Sequence, residues 1–158
     1  SQPDYIFVPL GGGSGVCGII TAVRALGVPV RVIGVQAEQA PAIYRSWKEG
    51  RMVTTESCHT MADGLATRIP FELTFSIIRE QVDDVLTVSE EELAEAVYQM
   101  YRTTHNVAEG AGAAPLAAAR KLGESLAGKK VVLVLTGSNI EADIFRGILK
   151  RYSTGNTQ

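Results

Sequence analysis

Tyr5-Ile6-Phe7-Val8-Pro9-Leu10-Gly11-Gly12-Gly13-Ser14-Gly15-Val16-Cys17-Gly18 carries most of the structural information in this chain. Its first four residues form an apolar run of β-formers, too short for three helical turns and bounded by Pro9, which predicts a buried strand. Small residues follow from Gly11 to Gly15. Beyond them Val16 to Leu26 places Ile19, Ile20, Val23 and Leu26 three and four apart, with Gly27 where a helix stops, so the spacing predicts a helix. The unit is strand, glycine turn, helix.

Outward from it the alternation continues. Val30 to Val35 predicts a second strand, and Ala40 to Lys48 a helix ended by Gly50. Residues 51–70 have mixed composition and are expected to be loop. Phe71 to Val82 recovers helical spacing and Val85 to Val88 is a brief strand. Ser89, with Glu92 three residues later, is a capping box that opens a helix over Glu90 to Thr104. Ala111 to Leu122 is Ala-rich, and Pro115, favoured in a first turn, moves the expected helix start to about Ala114. Lys130 to Leu135 reads as the best buried strand, and Thr136-Gly137-Ser138-Asn139 turns into a helix over Ile140 to Leu149. The polar tail Ser153 to Gln158 is expected to fray. Strands alternating with helices predict an α/β fold of three layers, α/β/α, on a mostly parallel sheet.

Composition narrows the class. The 158 residues are 46% hydrophobic and 20% charged, with 15 basic against 17 acidic side chains and a net charge of -2, which describes one globular domain. There is no Lys/Arg cluster to attract nucleic acid, and no apolar run approaches the roughly 20 residues of a spanning helix. Cys17 and Cys58 make no disulfide framework, and a signal-peptide pattern is missing, so a cytoplasmic protein is expected. The opening Ser1-Gln2-Pro3-Asp4 has no initiator methionine and reaches the glycine loop almost at once, which reads as a start inside a larger unit.

A strand running into small residues and then a helix presents backbone N–H groups at the positive end of a helix dipole, a geometry suited to phosphate. Two readings compete with an ordinary packed turn. Gly13-Ser14-Gly15-Val16-Cys17-Gly18 spells the G-x-G-x-x-G of a nicotinamide-dinucleotide fold, but the acidic residue expected near the end of the second strand falls at Gln36, with Glu38 close by. The other reading is the phosphate cup of a pyridoxal phosphate enzyme.

For the second reading the agreement extends along the chain. Pro9-Leu10-Gly11-Gly12-Gly13-Ser14-Gly15 resembles the tetraglycine-type loop of the fold type II pyridoxal-phosphate-dependent enzymes, the group of threonine and serine ammonia-lyases and serine racemase. Gly34-Val35-Gln36 resembles their G-V-E-P, Ala62-Asp63-Gly64-Leu65-Ala66 their A-D-G-[VL]-A, and Val82-Asp83-Asp84-Val85 their V-D-D. Glu109-Gly110-Ala111-Gly112-Ala113 is similar to E-P-A-G-A, and Thr136-Gly137-Ser138-Asn139 to S-G-x-N. The landmarks occur in the family's order from Pro9 to Asn139.

The resemblance implies a cofactor, pyridoxal 5'-phosphate, bound by Gly11, Gly12, Gly13, Ser14 and Gly15 at its phosphate, with Thr136 facing the pyridine nitrogen and Glu109 near the ring. A neutral hydroxyl at that nitrogen makes a weaker electron sink than a carboxylate would, which favours expelling a β-hydroxyl over transamination. The implied reaction is deamination of L-threonine or L-serine to a 2-oxo acid and ammonia. The family's cation-binding glutamate is replaced by Gln36, with Ala40 and Ala42 downstream, so no metal site is expected. Neither His59 beside Cys58 nor His105 has zinc spacing.

The family's Schiff-base lysine lies in an S-F-K-x-R-G-A motif N-terminal to the glycine loop. None of Lys48, Lys121, Lys129, Lys130 and Lys150 follows a Ser-Phe pair. Residues 1–158 are therefore expected to be the C-terminal portion of a catalytic domain, with no second domain, no catalytic residue of their own and no activity alone. The missing N-terminal half is the expected partner, and a homo-oligomer the expected complete state. A serine racemase, a cysteine synthase-like enzyme, a dinucleotide-binding dehydrogenase domain and a non-catalytic binding module remain alternatives.

Overall fold

The computed structural model describes residues 2–153. Four strands, β1 (Tyr5–Pro9), β2 (Arg31–Ala37), β3 (Asp84–Val88) and β4 (Val131–Leu133), form one sheet in the order β3-β2-β1-β4. All the pairings are parallel, with Tyr5 opposite both Arg31 and Val131 and with Ile33 opposite Asp84. Among the described residues six α-helices flank it: α1 (Ser14–Ala25), α2 (Ala42–Glu49), α3 (Glu72–Gln81), α4 (Glu90–Thr104), α5 (Gly110–Leu122) and α6 (Ala142–Ser153). Ser153 thus ends a helix, while the fraying expected beyond it, at 154–158, lies outside the described residues.

Strand alternation sends successive side chains to opposite faces and builds the expected three layers. Ile6, Val8, Val32 and Val85 join Val16, Ile20, Ile43 and Ile78 in one core, between the sheet and α1, α2 and α3. Phe7, Ile33, Val35 and Val88 join Leu93, Val97, Ala114 and Ile148 in the other, under α4, α5 and α6.

The capping box forms as expected. The Ser89 hydroxyl accepts from the Glu92 N–H at 3.1 Å, and the Ser89 N–H donates to the Glu92 carboxylate at 2.7 Å, a cap that stabilises α4 by about 1 kcal/mol.

Two expectations are corrected. Helix α5 begins at Gly110, not near Ala114, which puts Pro115 inside it and removes the N–H that would have bonded Ala111. Burial of Gly110 to Pro115, Ala117 and Ala118 against the sheet and α4 offsets that loss. Strand β4 is three residues long and lies at the sheet edge, where Val132 is 43% exposed, rather than in the buried centre. An apolar run marks it as a strand, but only pairing decides centre or edge, and β1 is its sole partner among the described residues.

Helix α6 docks through aromatic contacts. Tyr152 stacks on Tyr98 with centroids 5.6 Å apart, Phe145 meets Tyr101 edge-on, and the Tyr152 hydroxyl donates to the Glu91 carboxylate. Burial and the neighbouring Glu91 push the Tyr152 phenol up to about 12. A group whose folded pKa is raised favours the folded state while it is protonated. That contribution is complete below the ordinary value of 10.0 and is lost as pH rises toward 12. Phenolate absorbance followed against pH should therefore include a late component from Tyr152, and Tyr152→Phe should abolish that component together with its part of the alkaline loss of stability.

Candidate active site at the C-terminal edge of the sheet

The site is assembled where β1 and β4 end. The Leu10 N–H is still held by the Val35 carbonyl at 2.8 Å; the chain then leaves the sheet through Gly11 and Gly12 to Gly13, the N-cap of α1, at φ 96. Only glycine adopts that backbone without strain. The Gly13 carbonyl accepts from the Cys17 N–H at 2.9 Å, which starts the helix, and no side chain caps it. The first N–H groups of α1 therefore have no helical acceptor and face outward with the positive end of the helix dipole.

They face a cavity of about 480 Å³ lined by Val8, Pro9, the loop Gly11 to Gly15, Gly18, Ile19, Gly64, Glu109, Ala111, Val134 and Thr136. Every cofactor-contacting residue expected from the sequence, namely Gly11, Gly12, Gly13, Ser14, Gly15, Glu109 and Thr136, lines this one cavity. Gly15 and Gly18 leave open space, since a Cβ on either would meet nothing within 4 Å. A larger opening of about 580 Å³, between Glu38, Arg45 and Thr54, contains none of them.

The floor is backbone laid on backbone. A Cβ on Gly11 would stand 2.0 Å from the Gly64 carbonyl oxygen, and one on Gly112 would stand 2.2 Å from the Thr136 carbonyl oxygen. Gly64 is itself required by close approach, because a Cβ there would stand 2.9 Å from that of Ala111. It sits in the 3₁₀ turn Asp63–Leu65, within a segment otherwise loop, as expected.

The far end is held by Glu109. Its carboxylate accepts from the Asn139 N–H at 3.0 Å, and its own N–H donates to the Gly137 carbonyl at 3.3 Å. Gly137, at φ 75, leaves the space the carboxylate occupies: a Cβ there would lie 2.3 Å from Glu109 Oε1. Glu109 is half-buried and is not a free loop charge. Thr136 and Asn139 are not caps of the following helix, because α6 begins at Ala142 with the Phe145 N–H bonded to the Glu141 carbonyl. Thr136 lines the cavity instead.

The sequence reading missed Gly18 and Ile19 as lining residues. They stand three and four positions after Gly15 on one helix face, and that spacing was the available signal.

The dinucleotide reading fares poorly on geometry. Glu38 is paired with Lys121 at 3.2 Å, and Gln36 is fully buried with its side-chain carbonyl accepting from the Tyr44 N–H at 2.8 Å. Gly18, the third glycine of that fingerprint, should allow close helix–strand packing, yet a Cβ there would touch nothing.

A parallel α/β sheet with a glycine loop feeding an uncapped helix, beside a cavity that Thr136 and Glu109 also line, is a geometry suited to an anion. The chain belongs to the family described as pyridoxal-phosphate dependent enzyme, which it matches over residues 1–137. It is 38% identical to an L-threonine ammonia-lyase of Thermotoga maritima over 149 residues, covering 94% of this chain and 37% of that protein. It is 40% identical to an L-threonine ammonia-lyase of Geobacter sulfurreducens over 151 residues, covering 94% and 38%. Among solved structures it superposes on a threonine deaminase of T.th. with a TM-score of 0.83 and 41% identity, over 88% of this chain and 45% of that one. The chain therefore spans less than half the length of each of these relatives.

Proposed function

We propose that this chain forms the phosphate and ring-nitrogen side of the active site of a pyridoxal 5'-phosphate-dependent ammonia-lyase, acting on L-threonine or L-serine to give a 2-oxo acid and ammonia. The observation that carries it is the gathering of the glycine loop, Thr136 and Glu109 around one cavity. The residues fit the cofactor: open space beside Gly15 and Gly18 and uncapped N–H groups suit its phosphate.

The N–H groups of Gly12, Gly13, Ser14 and Gly15 would hold that phosphate, with the Ser14 hydroxyl as a further donor. The Thr136 hydroxyl would meet the ring nitrogen. When bound, the cofactor serves as the electron sink for a substrate that loses its Cα proton and its β-hydroxyl. Thr136, being neutral, would hydrogen-bond that nitrogen without holding a proton on it. Glu109 fixes the turn that carries Thr136, through Asn139 and Gly137, and so sets where the hydroxyl points.

No lysine lines the cavity among the described residues. Lys48 lies over the Trp47 and Tyr44 rings, and Lys121 is bound to Glu38, Glu92 and the Thr87 carbonyl. The amine that abstracts the Cα proton would come from a segment N-terminal to the glycine loop in the family's order, and these residues alone would be inactive. The complete enzyme would be a cytoplasmic homo-oligomer. No helix among the described residues is long and apolar enough to cross a membrane.

The test is the intact mass of each polypeptide in native material, with its absorbance before and after added pyridoxal phosphate and its release of 2-oxo acid from threonine and serine. A lysine-bearing polypeptide, a visible band and 2-oxo acid are expected. A single 16.9 kDa species that stays colourless with added cofactor would overturn the proposal.

A further inference from the structure

The glycine loop is braced from behind by a residue that does not line the cavity. Thr74, in the first turn of α3, donates its hydroxyl to the Gly12 carbonyl at 2.8 Å across 62 residues of sequence. Its longer contact, 3.3 Å to the Phe71 carbonyl, is the ordinary return of a helical threonine to its own turn. The Thr74 carbonyl in addition accepts from the Cys17 thiol at 3.4 Å. One residue of α3 thus grips the chain on both sides of the α1 N-terminus.

We propose that Thr74 is a positioning residue for the phosphate site, setting the orientation of the Gly12–Gly13 peptide so that the Gly13 N–H points into the cavity. The inference rests on the reading of this loop as the phosphate site. A trans peptide is planar with its C=O and N–H pointing in opposite directions, and no cis peptide occurs among the described residues. With the Gly12 oxygen drawn back toward α3, the Gly13 hydrogen faces the other way. Thr74 and Ile78 crowd the α3 side of Gly13, where a Cβ would lie 2.9 Å from each.

This peptide is flanked by glycine on both sides, so nothing in its own side chains prevents it from rotating. Rotated, it offers an anion a carbonyl oxygen instead of an N–H. The Thr74 hydroxyl therefore decides the sign of the interaction at this point of the cup.

The measurement is the ratio of dissociation constants for pyridoxal and pyridoxal phosphate, read by absorbance on native material with any polypeptide that copurifies. The ratio isolates the phosphate, because a folding defect or a disturbed ring site weakens both ligands alike. Wild-type protein should prefer the phosphorylated ligand. Thr74→Val, of nearly the same shape, should cut that preference about tenfold, the effect of losing one oriented hydrogen bond to a charged group. Thr74→Ser should restore it. Thr74→Ala, which removes the hydroxyl without adding bulk, is read in the same way if the valine variant folds poorly. A wild-type ratio in the valine and alanine variants, or a serine variant as weak as valine, would overturn the role of Thr74 while leaving the phosphate site standing. No preference in the wild-type protein would overturn the phosphate site and this inference with it.

Discussion

Gly11→Ala is expected to destabilise the protein by about 3 kcal/mol or more, at the upper end of what overpacking costs. The added methyl would stand 2.0 Å from the Gly64 carbonyl oxygen and 3.2 Å from its carbon. Both are backbone atoms, so no side chain can turn aside. Moving Gly64 pushes it toward α5, where a Cβ on Gly64 would already lie 2.9 Å from that of Ala111. The strain then passes from the loop through the 3₁₀ turn into the helix. For a domain of this size the thermal midpoint should fall by about 6–12 °C, which calorimetry would measure, and a midpoint within a degree of wild type would refute the close contact.

Gly15→Ala should do the reverse. Gly15 lies in the first turn of α1, and a Cβ there meets nothing within 4 Å, so the methyl costs no packing and relieves the entropy of a helical glycine, worth about 0.5 kcal/mol. Its midpoint should hold or rise slightly. The methyl projects into the space beside the uncapped N–H groups, however, and a phosphate pushed out of reach of one of them loses a hydrogen bond to a charged group, on the order of tenfold or more in affinity. Cofactor affinity, measured by titrating pyridoxal phosphate, should fall by that order while stability does not. If Gly15→Ala binds the cofactor as wild type does, the phosphate lies elsewhere. The two substitutions, at Gly11 and Gly15 of the same loop, separate its structural glycine from its binding glycine.

Much of this was legible in the sequence because the signals are local. The capping pair Ser89 and Glu92, the strand running into Gly11 to Gly15, and the apolar spacing of Ile19, Ile20 and Val23 all act within a few residues. The order of the motifs gathered Glu109 and Thr136 with the glycine loop before any geometry was known. What escaped depends on neighbours distant in sequence. Nothing around Gly64 says that Gly11 will lie against its carbonyl, and a lone Thr74 on a helix carries no spacing that announces its bond to Gly12. Pro115 misled for the opposite reason: its preference for a first turn is real, but the buried face from Gly110 to Ala118 outweighed it. Lys130 to Leu135 holds a strand, Val131–Leu133, but not the best buried one, since an apolar composition reports β structure and not the number of partners.

The position of β4 has a consequence for the order in which the molecule assembles. Asp4 and Lys130, hydrogen-bonded through the Lys130 N–H and the Asp4 carboxylate at 2.7 Å, are separated by 126 residues. Pairing β4 with β1 closes that whole length, whereas β1, α1, β2 and β3 join through far nearer neighbours, and long-range pairings are the slow ones. On a ribosome, which releases the N-terminal elements first, the glycine loop can be in place long before Glu109 and Thr136 emerge. The lining of the cavity is complete only once Thr136 has been made, so cofactor capture, where the proposed site holds, would mark a chain whose synthesis has already passed Asn139.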